Sequence, residues 1–218
     1  MTLTKEKDFI EIDFVGRIKE TNQIFDLTNE ELAKKEGLFH EGHHHFGPKV
    51  ICLGFNNMLP ALDKFLVNKE VGKDYSVELQ PEQAFGKKDV SLVKTVSLQS
   101  LRQQNINPFP SLQLNASGAL GTVKSVAGGR VTIDFNHPLA SKTLVYEIKI
   151  HRTVADEKLK LSSLVQALIG LHDHDFKVKL ENKKADIKVK QDFPKQLKEQ
   201  FISKIKEVMP DLEVSFSS

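Results

Sequence analysis

The sequence predicts an α+β protein built from short strands and a few helices, and three observations support this fold class. Residues 8–20, "DFIEIDFVGRIKE", alternate apolar and polar side chains as a half-buried strand does. Residues 87–136 differ in composition from their surroundings and have the pattern of a small β-rich module. From Asp156 onward the pattern is helix, two strictly alternating strands, helix and strand. We therefore expect more than one compact domain.

Composition and charge exclude several classes of function. Of the 218 residues, 39% are hydrophobic, which is enough for globular domains. Lys and Arg number 31 against 29 Asp and Glu, so the formal charge of +2 favours neither nucleic acid nor a membrane as a partner. Cys52 is the only cysteine, and the sequence shows neither a signal-peptide core nor an apolar run of membrane-spanning length. We therefore expect a soluble protein of the cytoplasm without an internal disulfide.

The first part of the chain is predicted to consist mainly of strands. After the strand at residues 8–20, "QIFDLT" has the pattern of a second strand, and a short helix is expected between the capping residue Asn29 and Gly37. "KVICLG" predicts a third strand. Asn57 is expected to cap a short helix that has Pro60 in its first turn, and "DYSVEL" is predicted to form the next strand.

The later parts of the chain are predicted in the same way. Within residues 87–136 we expect a strand, a short helix capped by Ser97, and three strands, the last two joined by a turn at "AGGR". "TLVYEIKI" predicts a strong strand, and the helix that follows is expected to end at Gly170. The last helix is amphipathic. Its predicted buried face consists of Leu197, Phe201, Ile205 and Val208.

Four short pieces follow one another along the chain: "IFD", "LGFNNMLPALDKFL", "EQAFG" and "NHPLASKTLVYEIKI". In this order they resemble an FKBP-type peptidyl-prolyl isomerase of the long, SlyD-like kind found in archaea. That family carries a module in the flap of its body, directly after the "AFG"-like turn, which is where the composition changes here. The resemblance implies an FKBP-like antiparallel sheet around a short helix. The implied domains are an isomerase body at 1–86 and 137–155, an insert-in-flap domain at 87–136 and a C-terminal α-β-β-α-β domain at 156–218.

The resemblance also implies a function, a set of site residues and a class of partner. It implies a peptidyl-prolyl cis-trans isomerase and folding chaperone that acts on unfolded or nascent polypeptides with X-Pro bonds and requires no cofactor. The implied catalytic pocket is lined by Phe14, Phe25, Asp26, Met58, Leu59, Leu62, Phe85 and Tyr146. The apolar side chains of the insert that are expected to hold clients are Val93, Val96, Leu98, Leu101, Ile106 and Phe109. Without the order of the motifs, the apolar residues of the pocket would be read as ordinary core.

The chain departs from the family pattern at three places. Phe14 and Phe85 stand where the family often has tyrosine, so the wall of the pocket is kept but two hydroxyl donors are lost. Leu62 stands where many relatives have tryptophan, which puts affinity for macrolide inhibitors in doubt. Ser141 stands where glycine is common, a change that is expected to matter little if the backbone there avoids positive φ.

Four histidines, His40, His43, His44 and His45, lie within the stretch "FHEGHHHFGP". A Gly-Pro pair closes this stretch, so a loop is its expected conformation. A histidine cluster in a loop is expected to bind nickel, zinc or copper opportunistically, whereas a dedicated site needs further groups that orient the ligands. A metal-binding protein that uses this loop is therefore an alternative reading of the chain.

Two further alternatives remain open at this point. The chain would be a non-catalytic holdase if the insert bound clients and catalysis were vestigial. The C-terminal domain is predicted to mediate self-association, most simply as a homodimer, because a sheet of three short strands leaves edges unpaired. The competing expectation is that this domain docks only on the isomerase body of its own chain.

Overall fold

The computed structural model describes residues 2–39, 46–55, 57–116, 118–171, 174–190 and 193–217. The chain divides into two compact units. One unit combines Met1–Glu78 with Val145–Ser218, and the other is Leu79–Leu144. In the described residues, helices and strands alternate irregularly along the chain, which confirms the α+β class that the sequence predicts.

The elements are numbered in chain order. The strands are β1 (Phe9–Ile18), β2 (Ile24–Leu27), β3 (Lys49–Cys52), β4 (Asp74–Leu79), β5 (Val93–Ser97), β6 (Gln113–Ala116), β7 (Ala119–Ala127), β8 (Arg130–Asp134), β9 (Leu144–Thr153), β10 (Phe176–Glu181), β11 (Lys184–Val189) and β12 (Glu213–Ser217). The helices are α1 (Glu30–Lys35), α2 (Pro60–Leu66), α3 (Leu98–Gln103), α4 (Glu157–Ile169) and α5 (Lys195–Lys206). Short 3₁₀ turns lie at Pro81–Gln83 and Val90–Leu92.

The sheet of the first unit is organised around the long strand β1. The strand order is β2-β1-β9-β4, and β3 also pairs with β1. Because β9 occupies one side of β1, the strands β2 and β3 share its other side, where both run antiparallel to it. Alternate residues of β1 are buried, including Ile10, Ile12 and Phe14. The predicted half-buried strand is therefore present, and it carries an aromatic residue on its buried face.

Helix α2 contributes two fully buried leucines, Leu62 and Leu66, to this unit. The predicted cap of this helix is wrong. The helix begins after Leu59 with Pro60 as its first residue, and the side chain of Asn57 accepts a hydrogen bond from the Cys52 N–H instead (3.3 Å). Proline has no N–H that needs a cap, so the asparagine is free to bind the preceding turn to β3.

The C-terminal domain has the predicted element order, from α4 to β12. The side chain of Asp156 caps α4 by accepting from the Leu159 N–H (2.8 Å), and Gly170 ends the helix in the left-handed conformation (φ 74°). Its sheet has the order β10-β11-β12, in which β10 and β11 are antiparallel and β12 is parallel to β11. The parallel pair follows from α5, which crosses from the end of β11 to the start of β12.

A shared apolar core joins the C-terminal domain to the isomerase body. Leu164, Ile187 and Ile205 of the domain belong to one buried cluster with Phe9 and Cys52 of the body. The domain therefore docks on its own chain. The prediction that Leu197 lies on the buried face of α5 is wrong, because its side chain is 53% exposed. The other three residues of that face are placed as predicted: Phe201 and Ile205 are buried, and Val208 packs against their cluster.

The second unit contains the insert, a four-stranded sheet of order β5-β8-β7-β6 with α3 beside β5. Its core is small and consists of Leu101, Leu114, Val123, Val131 and Ile133, surrounded by half-buried apolar residues. Gly128 and Gly129 have positive φ and form the predicted hairpin turn between β7 and β8. Ser97 lies at the predicted N-cap of α3, but its side chain makes no capping hydrogen bond.

Backbone strain occurs at Ser141 in the same unit. Its φ of 61° lies in the left-handed region, so the condition under which serine in place of glycine was expected to matter little is not met. Two hydrogen bonds support this conformation: the Ser141 N–H donates to the carbonyl of Gly86 (2.8 Å), and its Oγ accepts from the Lys88 N–H (2.8 Å). The serine therefore offsets part of its conformational cost with a side-chain contact that glycine cannot make.

Within the part of the chain that the structure describes, no helix has both the length and the apolar character needed to cross a membrane.

Candidate active site

Three aromatic rings from three neighbouring strands form the centre of the candidate site. The ring centroid of Tyr146 on β9 lies 5.6 Å from that of Phe25 on β2 and 6.1 Å from that of Phe14 on β1. The Phe25 ring meets the tyrosine edge-on, with an interplanar angle of 85°. Phe14 and Tyr146 are each 4% exposed, whereas Phe25 is half-buried. The structure thus brings together three of the predicted pocket residues as one aromatic wall.

Gly16 makes this close packing sterically feasible, and the sequence reasoning did not identify it. A Cβ atom at this position would lie 2.7 Å from Cζ of Phe25 and 3.1 Å from Cε1 of Tyr146. Side chains do not approach that closely, so any larger residue would force the two rings apart. The sequence did contain a signal for this role, because an isolated glycine inside a strand pattern often marks a position where another part of the chain approaches the backbone closely.

Asp26 is the acidic residue beside the rings. It lies opposite Gly16 in the antiparallel pairing of β1 with β2, and its side chain is exposed. Burial raises the pKa of Tyr146, and the negative charge of Asp26 raises it further. The Tyr146 hydroxyl therefore stays protonated. At the same wall, the Lys49 ammonium lies 5.5 Å from the ring centroid of Phe14.

The remaining pocket residues of the first unit lie at the start of α2. Met58 and Leu59 are half-buried, and Leu62 is fully buried. The Leu59 carbonyl accepts from the N–H groups of Leu62 (2.8 Å) and Asp63 (3.1 Å), so the chain at this point is fixed by the first turn of the helix. Proline at the first helical position restricts the backbone further.

Phe85 belongs to the second unit, where its ring stacks on that of His137. The two centroids are 4.1 Å apart and the planes differ by 2°. The stacking joins the "AFG" turn at the entry of this unit to the "NHPLA" segment near its exit. The sequence did not predict that His137 contacts Phe85. The only available signal was that His137 lies in the same motif as Tyr146, "NHPLASKTLVYEIKI".

A buried threonine supports the aromatic wall from β2. Thr28 has no exposed surface, and its Oγ1 donates to Oδ1 of Asp13 (2.7 Å) and accepts from the Phe14 N–H (2.9 Å). The Thr28 carbonyl accepts from the Gly47 N–H (2.8 Å). Asp13 in turn is hydrogen-bonded to Nε2 of His151 (2.7 Å). The network fixes the backbone of Phe14, and no sequence pattern predicted it.

The residues that were predicted to hold clients fall into two groups in the insert. Val93 and Phe109 are 37% and 58% exposed. Leu101 is 7% exposed and belongs to the core of the insert, and the half-buried side chains of Val96, Leu98 and Ile106 pack against that core. Leu101 is therefore unavailable to a client in this structure. Its burial follows from α3, whose single buried position packs against the sheet.

Three exposed apolar residues of this unit were not predicted. Val90, Leu92 and Leu120 are 83%, 41% and 59% exposed. Exposed large apolar side chains grouped on a small unit are typical of surfaces that bind other polypeptides. Strand alternation alone could not identify them, because Val90 and Leu92 lie in a 3₁₀ turn.

The four histidines of the metal prediction, His40, His43, His44 and His45, lie outside the described residues. Among the residues that are described, no group of three or more His, Cys, Asp or Glu side chains has the arrangement of a metal site. Burial raises the pKa of the Cys52 thiol to about 12, and the nearby carboxylates of Asp63 and Asp8 add to the effect. This cysteine is therefore a packing residue rather than a nucleophile.

Comparison with known proteins agrees with this geometry. Residues 94–139 match the family model described as "FKBP26, IF domain". The "Short-type peptidyl-prolyl cis-trans isomerase" of Methanocaldococcus jannaschii is 25% identical over 150 residues, which cover 69% of this chain and 94% of that protein. The "FKBP-type peptidyl-prolyl cis-trans isomerase SlyD" of Treponema pallidum is 32% identical over 113 residues, covering 49% of this chain and 63% of the relative.

A solved structure was also compared. The three FKBP domains of wheat FKBP73 align with 72% of this chain and 42% of the wheat chain, at 15% identity and a TM-score of 0.36.

The chain is similar to members of the FKBP-type peptidyl-prolyl isomerase family, and its residues 94–139 match an insert-in-flap (IF) domain. Within that family its relatives include proteins of the SlyD type and an archaeal isomerase. The family and the enzyme class that the sequence predicts are confirmed.

Proposed function

We propose that this protein isomerises X-Pro bonds of unfolded polypeptides in a pocket whose wall is formed by Phe14, Phe25 and Tyr146. The observation that supports this proposal most strongly is the cluster of three rings with Asp26 at its rim. An apolar wall with one acidic group is suited to a substrate that is neutral and changes its polarity during the reaction.

The reaction needs little covalent chemistry. Rotation about a peptide bond meets a barrier of roughly 18–20 kcal/mol, which comes from lost resonance. Around X-Pro the cis and trans forms are close in energy but exchange slowly, so they limit the folding of many chains. A protein accelerates the exchange if it binds the twisted amide more tightly than the planar one. The twisted amide is less polar, so a dry aromatic pocket favours it over water.

The individual roles follow from position and chemistry. Tyr146 and Phe14 form the buried base of the pocket, and Phe25 packs edge-on against it. Asp26 supplies a negative charge that interacts with the dipole of the substrate amide. Met58, Leu59 and Leu62 supply the wall at the start of α2, where the Leu59 N–H holds a substrate carbonyl. Phe85 is assigned to the pocket from its place in the "EQAFG" motif.

The insert holds unfolded clients through its exposed apolar side chains. Val93 and Phe109 were expected for this role, and Val90, Leu92 and Leu120 extend the set by their exposure. A small core beside several exposed large apolar side chains suits a surface that binds many sequences without fixed geometry. The clients are unfolded or nascent polypeptides, and the cytoplasm is the compartment that the sequence favours.

The isomerisation of a short Phe-Pro peptide tests the proposal. The protein is expected to accelerate the exchange, and Asp26→Ala and Phe85→Ala are each expected to lower kcat/KM while the circular dichroism spectrum is unchanged. Asp74→Ala, at an exposed position of β4, is the matched control and should keep full activity. Full activity in both pocket variants would refute the site assignment.

Self-association through the C-terminal domain is the second part of the proposal. Leu168 and Leu197 are 37% and 53% exposed, and with Phe193 and Phe216 they line an apolar groove of about 500 Å³. A second copy of the chain covers this groove most simply, because the two copies present the same apolar surface. Light scattering should show a dimer for the native chain and a monomer for Leu197→Glu. A monomer for both at tens of micromolar would rule the dimer out.

A further inference from the structure

We propose that a groove between β3 and α4 binds the residues that flank the X-Pro bond in an extended client. This inference rests on the proposed isomerase function and assigns to the C-terminal domain a part in substrate recognition. The groove has a volume of about 580 Å³. One wall contains Asp26 and Val50, and the other is formed by Leu159, Ser162 and Ala167 of α4.

The groove shares residues with the surroundings of the aromatic wall. Asp26 lines it, faces Gly16 in the pairing of β1 with β2, and its charge raises the pKa of Tyr146. Lys49, whose ammonium group lies over the ring of Phe14, lines it as well. A polypeptide whose proline lies against the aromatic wall therefore has a path along which its next residues run between the sheet edge and α4.

The edge of β3 has the hydrogen-bonding groups that an extended polypeptide needs. The Leu53 N–H donates toward β1, to the carbonyl of Asp8 (3.0 Å), whereas the Cys52 N–H points the other way, to Asn57 (3.3 Å). Backbone groups alternate in direction along a strand. The N–H and C=O of Val50 therefore face away from β1, on the side of the sheet that α4 flanks. An extended chain pairs with such an edge by adding a strand.

The chemistry of the walls identifies the occupant. The charged residues that line the groove are Asp26, Glu11 and Lys49, and Glu11 is paired with Arg152, so the walls have no excess of positive charge to hold a phosphate or another anion. Leu159 is 43% exposed and offers an apolar contact, and Ser162 offers a hydroxyl for hydrogen bonding. Backbone donors and acceptors on one side, with mixed apolar and hydroxyl contacts on the other, suit a neutral extended polypeptide.

Two peptides with the same X-Pro bond test the inference. The short one has four residues, and the long one adds about six residues on each side, which is roughly 20 Å of extended chain per side. The native protein is expected to show a kcat/KM for the long peptide about tenfold above that for the short one. Ala167→Trp, which fills the groove from an exposed helix position, should remove this difference and leave the short peptide unaffected.

Two further variants complete the experiment. Lys158→Trp, on an exposed part of α4 outside the groove, is the control and should retain the preference for the long peptide. Leu159→Ala removes an apolar contact without adding bulk and should weaken the preference, which keeps the test decisive if the tryptophan variant fails to fold. An unchanged long-to-short ratio in a folded Ala167→Trp, or in Leu159→Ala, would overturn the inference.

The experiment can refute the proposed isomerase activity and the proposed groove independently of each other. If the native protein isomerised neither peptide, the proposed activity would be wrong. The affinity of a fluorescent long peptide, measured by anisotropy for the native chain and for Ala167→Trp, would still decide whether the groove binds it. A loss of affinity of about tenfold supports the groove, and equal affinities contradict it.

Discussion

The aromatic pocket and the insert use apolar side chains in opposite ways. In the pocket, Phe14 and Tyr146 are each 4% exposed and are fixed by neighbouring strands. In the insert, Phe109 and Leu120 are 58% and 59% exposed beside a core of a few residues. A fixed, buried wall selects one geometry, whereas an exposed apolar surface gains free energy from any chain that covers it. On the proposed assignment, catalysis and client capture therefore use different regions of one protein.

In each of the two regions, a glycine in a strand allows large side chains to pack closely against the backbone. Gly16 lies in β1 against Phe25 and Tyr146, and Gly121 lies in β7, where an added Cβ atom would be 2.6 Å from Cγ2 of Ile133 and 2.7 Å from Cε1 of Phe135. Because each glycine lacks a Cβ atom, a large neighbouring side chain can pack directly over the strand at that position. Substitution of either glycine by alanine is therefore a comparable steric perturbation of its region.

The largest effects are expected from Gly16→Ala and Gly121→Ala. Each substitution forces rings or methyl groups to move and should lower the free energy of unfolding by about 1–3 kcal/mol. Gly16→Ala should also lower kcat/KM for a short X-Pro peptide by about tenfold, because it displaces Phe25 and Tyr146 from each other. Gly121→Ala should leave that activity nearly unchanged. Equal losses of activity in the two variants would show that the two regions do not act separately.

A loss of stability in the same range, without a steric clash, is expected from Thr28→Val. The variant keeps the volume but removes the side-chain acceptor of the Phe14 N–H and one of the hydrogen-bond partners of Asp13, at a cost of about 1–3 kcal/mol. Chemical denaturation measures this cost. Thr28→Ser should recover most of it, and Thr21→Val, at an exposed position, is the matched control. A valine variant as stable as the native protein would show that the network is not needed.

The insert is expected to lose stability in acid. Burial alone would raise the pKa of Asp134, but hydrogen bonds from Lys88 and Asn136 outweigh it and lower the pKa to about 2. Because this value lies below that of an unfolded chain, the carboxylate stabilises the insert above about pH 4, and the contribution disappears as the pH falls toward 2. Methyl NMR signals of Val123 and Val131 would follow the change. In Asp134→Asn this part of the pH dependence should be absent, and its persistence would point to another group.

The smallest effect on stability is expected from Phe109→Ser. The ring is mostly exposed, so the free energy of unfolding should change by less than about 0.5 kcal/mol. Suppression of aggregation of an unfolded client should nevertheless weaken, because the variant removes an apolar contact surface. Ser100→Ala, at an exposed position of α3, is the control. Unchanged suppression by Phe109→Ser would remove this residue from the client surface.

Much of the fold follows from local sequence patterns. Alternation predicted β1, β10 and β11, and capping residues predicted the ends of α1 and α4. These features depend on neighbouring residues, which a sequence displays directly. The parallel pairing of β11 with β12 was not predicted, because alternation gives a strand its faces but not its partner or direction.

The candidate site was predicted less completely. The rings of Phe14, Phe25 and Tyr146 were identified from the order of motifs, and the structure brings them together. Gly16 and Thr28 were missed, because their roles arise from contacts between strands rather than from a pattern along one strand. In the insert, Leu101 was predicted to hold clients, although the short helix α3 buries that one position.

The most direct test of the separation between pocket and insert measures both activities in the same two variants. Phe25→Ala should lower the isomerisation of a short Phe-Pro peptide by about tenfold or more and leave the suppression of client aggregation intact. Phe109→Ser should show the reverse. If each variant lost both activities to the same extent, or if Phe25→Ala kept full isomerase activity, the account of two separate regions would be contradicted.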